Sequence, residues 1–176
     1  MRSPFCTTTS PHKPVVGRRW IHGSVAEDML KRIRVPSLLI GPESHGFVEP
    51  QNGEIKLRRI LVPVAPKPDA PPEWTLNVLS SLLSQVGVKE DSLEMIHIAG
   101  QMPDILDGTG KTRKIEHLDG PVTETILRVA NERKVDLIAM ATAGHHGFLD
   151  GFRGSTTRQV LARAPCLVLA LPLMVR

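Results

Sequence analysis

From residue 57 onward, short unbroken apolar runs alternate with stretches whose apolar residues recur at helical spacing. That alternation constrains the fold more than any other feature of the chain. A strand with one wet face alternates apolar and polar residues, whereas a strand buried on both faces reads as a continuous apolar run. Ile60-Leu61-Val62-Pro63-Val64 is such a run, as are Leu137 to Ala141 and Cys166 to Leu171; Leu93 to Ala99 and Arg113 to Leu118 complete a set of five. Pro71 and Pro72 open a helix with Leu79, Leu82, Leu83 and Val86 on one stripe. Asp119-Gly120-Pro121 starts a second, carrying Val122, Ile126, Val129 and Ala130, and Ser155 to Ala164 is a third, stopped by Pro165. Buried strands separated by helices require a sheet covered on both faces. The reading is α/β: a doubly wound, parallel, five-stranded sheet of Rossmann-like type.

Composition narrows the class without naming a function. Hydrophobic residues make up 41% of the 176 and charged residues 23%, the balance of a globular chain. No apolar stretch approaches the roughly 18 residues of a membrane span, and no secretory signal is legible at the N-terminus. Two cysteines, Cys6 and Cys166, exclude a disulfide framework and point to a cytoplasmic setting. A net charge of +4 is mild, and aromatics at 3% with no tyrosine leave no stacking platform for nucleic acid. Neither nucleic acid nor membrane is expected as a partner.

The first 56 residues look like a piece of the same design. Gly23-Ser24, a one-sided helix ending in basic residues, Pro36 and the run Ser37-Leu38-Leu39-Ile40 parallel Gly154-Ser155, the third helix, Pro165 and Cys166-Leu167-Val168-Leu169. Matching order and spacing read as an internal repeat.

The sharpest local feature runs from Met140-Ala141-Thr142-Ala143-Gly144 to Gly154-Ser155-Thr156. A buried strand feeds a glycine-rich loop that ends at a helix N-terminus, where free N–H groups and the helix dipole attract phosphate. Gly144, nine residues, Gly154 and Ser155 resemble the nucleotide loop of the universal stress protein family, Gly-x2-Gly-x9-Gly-Ser/Thr, with Ala141 at the first glycine. The resemblance covers residues 57–173, with strands at Ile60–Val64, Met95–Ile98, Val135–Met140 and Pro165–Leu169 in the family's order. It implies a stress-response module that binds ATP, with Mg2+ accompanying it, through Pro63, Ile98, Met140, Ala141, Gly144, Gly154, Ser155 and Thr156. On this resemblance, residues 1–42 are the C-terminal remnant of a first such domain, 43–56 a linker and 57–176 a full domain. The family's helix between the second and third strands is expected to be missing, because Gly100 to Lys111 contains Pro103, Gly108 and Gly110. The aspartate that usually follows the opening strand in ATP binders is replaced by Ala65, and Ala141 adds a methyl group to the loop. Those two departures favour an alternative: a nucleotide-independent scaffold acting through protein contacts.

Other constellations are weaker. Gly108-Thr109-Gly110-Lys111-Thr112 ends like a P-loop, but Ile105 stands where the first glycine belongs and a strand follows. His145, His146 and Asp150 sit on an irregular loop without a nearby cysteine, so no metal site is expected, and His97 reads as a hydrogen-bonded core histidine. Arg58-Arg59 and similar pairs suit helix C-termini. No nucleophile has a positioned base, so no enzyme is expected beyond slow ATP hydrolysis. The two last strands, Ser37–Gly41 and Cys166–Leu171, are expected to pair antiparallel, within one chain or across a homodimer, since an open apolar edge is normally covered.

Overall fold

The computed structural model describes residues 35–64, 72–98, 100, 102–105, 112–142 and 156–172. Residues 1–34 lie outside it, and with them most of the expected first-domain remnant. Six strands form one sheet: β1 (Ser37–Leu39), β2 (Ile60–Val64), β3 (Leu93–Ile98), β4 (Ile115–Leu118), β5 (Leu137–Thr142) and β6 (Leu167–Pro172). Three helices are described, α1 (Pro72–Gln85), α2 (Val122–Glu132) and α3 (Thr156–Arg163).

The strand order is β1-β6-β5-β2-β3-β4. Strands β2 to β6 run parallel, and β1 lies antiparallel to β6 with Ser37 opposite Ala170 and Leu39 opposite Val168. The expected five-stranded parallel sheet is therefore corrected to a mixed sheet of six. The cause is the edge: β6 would otherwise expose a row of unpaired backbone groups, and the uncharged segment preceding the linker supplies their partners within the same chain.

Side-chain alternation divides the core in two. Leu61, Ile96, Ile138 and Val168 face α2 and α3, packing on Ile126, Val129 and Val160. Ile60, Val62, Met95, Leu137 and Leu169 face α1, packing on Leu76, Leu79 and Leu83. Both faces are apolar, which is why the strands read as continuous runs. The helical stripes reach less far than their spacing suggests. Val86 falls just beyond α1 and is 45% exposed, and Val122, at the first position of α2, is 39% exposed. Both sit at helix ends, where the turn has no neighbouring turn to fix which side meets the core.

Between β3 and β4, Ile105 is fully buried in the α1-side cluster, and its carbonyl accepts from the Arg113 N–H at 2.9 Å. The helix expected to be absent here falls partly on residues 106–111, outside the described residues.

The N-terminal ends of the strands are tied by charge. The Asp136 carboxylate accepts from the backbone N–H groups of Arg58 at 2.8 Å and Arg59 at 3.0 Å, fixing the entry to β2. The Arg59 guanidinium donates to the Arg133 carbonyl at 2.7 Å, at the C-terminus of α2, the place such arginines favour. Arg133 in turn grips Glu94 on β3 and Glu116 on β4 at 3.1 and 2.8 Å. Hydrogen bonding to Arg133 holds the Glu116 carboxyl below the usual carboxylate range. A depressed folded-state pKa means stability that is present above the ordinary value and is lost as pH falls through the folded value. Glu116→Gln is expected to lower stability in urea at pH 7 by no more than about 1 kcal/mol, because the pair is partly exposed. The gap between variant and wild type should close as pH falls through the folded-state value, below which the carboxylate is protonated in both states.

Candidate functional site

In an open α/β sheet, ligands bind beyond the carboxyl ends of the strands where the order of connection reverses. Here that reversal lies between β2 and β5: the chain leaves β2 for β3 on one side, while β5 lies on the other. Ile60 and Leu61 of β2 pair with Leu137 and Ile138 of β5. Two residues further along each strand, Pro63 and Met140 bring the two central strands to the same end of the sheet.

The sequence-derived site residues fall around this point as follows. Pro63 is half-buried in β2 beside Ile96, and Ile98 closes β3 at 5% exposure. Met140 is buried and Ala141 half-buried at the end of β5, opposite Ala170 and Leu171 of β6. Thr156 is half-buried as the first residue of α3. Gly144, Gly154 and Ser155 lie within residues 143–155, and Ala65 within 65–71, all outside the described residues. The described members thus share the carboxyl end of the sheet.

Two polar residues join them there. His97 is fully buried, and its Nδ1 lies 3.0 Å from the carbonyl oxygen of Val64 on β2. That is the hydrogen-bonded core histidine expected from the sequence, but its Nε2 has no partner. Thr75, in the first turn of α1 and 5% exposed, likewise leaves Oγ1 without a partner. Sequence reasoning passed over Thr75. The available signal was a hydroxyl residue beside Leu76 on the apolar stripe of α1. The His117 ring stands 5.7 Å from that of His97, with Nε2 3.7 Å from the Asp119 carboxylate. Among the described residues no group of three or more histidines, cysteines or carboxylates is placed to hold a metal ion. Cys166 is enclosed at the start of the last strand, and burial pushes its thiol up to about 12, which leaves no thiolate for chemistry at neutral pH.

A profile of the universal stress protein family matches residues 73–172, which is more than half of the chain. The chain belongs to the universal stress protein family. The fold agrees: a crystal structure of a universal stress protein from Archaeoglobus fulgidus DSM 4304 superposes with a TM-score of 0.59 at 19% identity. That match covers 86% of this chain and 54% of the other, so the present chain spans about half the length of that relative. A search of curated proteins returned no match. Among the described residues of this family member, no helix is long and apolar enough to cross a membrane.

Proposed function

We infer that this universal stress protein is a nucleotide-responsive stress module that binds ATP, with Mg2+, at the carboxyl end of its sheet. The carrying observation is the reversal point between β2 and β5, with Pro63, Ile98, Met140 and Ala141 at one end of the strands and α3 starting at Thr156. The segment joining β5 to α3 carries Gly144, Gly154 and Ser155, the residue types that let backbone N–H groups approach phosphate. In this reading the phosphates meet that segment and the adenosine end lies toward Pro63 and Ile98. No catalytic group is assigned; the protein acts by binding.

A ligand that binds only the folded state raises the melting temperature by mass action. Millimolar ATP with Mg2+ is expected to raise the melting temperature of the wild type by several degrees, and Gly154→Val is expected to abolish the shift. An unshifted melting curve for the wild type removes the nucleotide reading.

A scaffold function through protein contacts is favoured by a separate observation. Among the described residues β1 is the outer strand of the sheet, Leu38 in it and Ile40 just after it are 46% and 63% exposed, and the run Val35–Gly41 contains no charge. Unguarded apolar edges invite pairing with another chain. Because β6 is already paired with β1 within one chain, a homodimer joined through these last strands would use the outer edge of β1 or exchange the strand between copies.

A further inference from the structure

The stretch between β1 and β2, expected from the sequence to be a linker, folds as a short hairpin. Val48 and Ile55 pair antiparallel across it. The Glu49 N–H donates to the Glu54 carbonyl at 2.8 Å, and the Lys56 N–H to the Phe47 carbonyl at 2.7 Å. The Lys56 ammonium is paired with the Glu49 carboxylate. This hairpin is a strap on the core: Phe47 packs against the α1-side cluster, and Leu57, just beyond the hairpin, is buried within it.

At its tip stands Asn52-Gly53, the only asparagine–glycine pair in the chain. Such a pair suits a hairpin, because glycine takes the left-handed backbone that the turn needs, and Gly53 has φ of +72°. Asparagine is also chemically labile, since its amide carbon is open to attack by the next peptide nitrogen. Three observations favour that attack here. Asn52 Oδ1 accepts from the Glu54 N–H at 2.9 Å, which folds the side chain along the following backbone and draws electrons from the amide carbon. Nothing stands within 4 Å of a Cβ built on Gly53, so no neighbour hinders closure of a ring. Residues 51–55 are all exposed, so water reaches the site. The opposing feature is the Gly53 N–H, which donates to the Glu49 carbonyl at 2.8 Å. Ring closure waits for that one bond to open, and exposed turns open at little cost in free energy.

We propose that Asn52 is a site of spontaneous deamidation in the folded protein, and that its isoaspartyl product loosens the strap on the α1 side of the core. The Gly53 nitrogen bonds to the Asn52 amide carbon, the bond from that carbon to Nδ2 breaks, and the glycine proton leaves with the amine as ammonia. Water, the one co-reactant, then opens the cyclic imide at either carbonyl. One opening leaves aspartate, whose carboxylate still accepts from the Glu54 N–H. The other leaves isoaspartate, which routes the main chain through the former side chain and adds a methylene to the turn. With that extra length the Glu49–Glu54 and Phe47–Lys56 hydrogen bonds lose their common register, and Phe47 loses its seat.

The test is incubation of the full chain in warm, mildly alkaline buffer, followed by peptide mass spectrometry. Conversion is expected at Asn52, with one unit of positive net charge lost. Asn77 of α1 and Asn131 of α2, followed by Val78 and Glu132, should stay intact. Asn52→Gln, whose longer side chain must close a larger ring, should not convert. The acidic fraction, its isoaspartate located by fragmentation, should melt below both fresh protein and the Asn52→Asp variant. An amide at position 52 that outlasts those at 77 and 131 overturns the site. Conversion to aspartate alone, or an isoaspartyl fraction that melts like fresh protein, overturns the loosening of the strap.

Discussion

Leu61→Ala is expected to lower the stability of the fold by about 3 kcal/mol, within the range of 2–5 for truncating a buried leucine. Leu61 is fully buried in β2, between Glu94 of β3 and Ile138 of β5, and belongs to the cluster under α2 and α3. Its neighbours are strands fixed by backbone ladders on both sides, so the surroundings have little freedom to close over the cavity. For a chain of this size the loss corresponds to a fall in melting temperature of roughly 6–12 °C. Leu38→Ala provides the contrast. That side chain stands on the outermost described strand at 46% exposure, and its removal should change stability by less than about 0.5 kcal/mol. Equal shifts for the two variants in a thermal melt would contradict the layered core described above.

Gly41→Val is expected to destabilise by about 1–3 kcal/mol, through overpacking. A Cβ at residue 41 would stand 2.5 Å from the carbonyl oxygen of Leu161, a backbone atom near the end of α3 that cannot swing aside. The Gly41 carbonyl is also held, accepting from the Ser44 hydroxyl at 2.8 Å, while the His45 N–H donates to Pro165 at 3.0 Å. These contacts lay the chain leaving β1 across the start of the last strand, so a side chain at Gly41 prises β1 from β6. Gly46 offers the control: nothing stands within 4 Å of a Cβ there, and Gly46→Ala should be close to neutral. Urea unfolding of the two variants separates a steric cause from a general cost of replacing glycine.

The inner parallel strands β2, β5 and β6 were legible because they are buried on two faces and so carry unbroken apolar runs, whereas the edge strand β4 exposes Glu116 and His117. Ile60–Val64 and Leu137–Ala141 announce themselves in this way. The antiparallel pairing of Ser37–Leu39 with the last strand was also legible, from the liability of an open edge. Its effect on the sheet count was not, because hydrophobic patterning is blind to which neighbour a strand meets. The apolar stripes extend less far than their spacing suggests, with Val86 and Val122 exposed, because spacing locates a stripe without saying where burial stops. The glycine spacing from Gly144 to Gly154 was the clearest site signal, and it lies outside the described residues. The two orphaned polar atoms were harder to read. His97 meets Val64, a residue 33 positions earlier, and only the register of β2 and β3 brings them together. Thr75 carries no motif, and it stands out only as a buried hydroxyl without a partner.

The antiparallel edge also sets a timetable for synthesis. Leu39 of β1 leaves the ribosome well before its partner Val168 of β6. The intervening stretch of roughly 130 residues takes about 6–26 s to make at ordinary translation speeds of ~5–20 residues per second. Throughout that interval the uncharged run Val35–Gly41 is without its β6 partner, and such a segment is a hazard for association with other nascent chains. Contacts between residues distant in sequence also form slowly after release. The burden of chaperoning therefore rests on β1 until β6 has emerged.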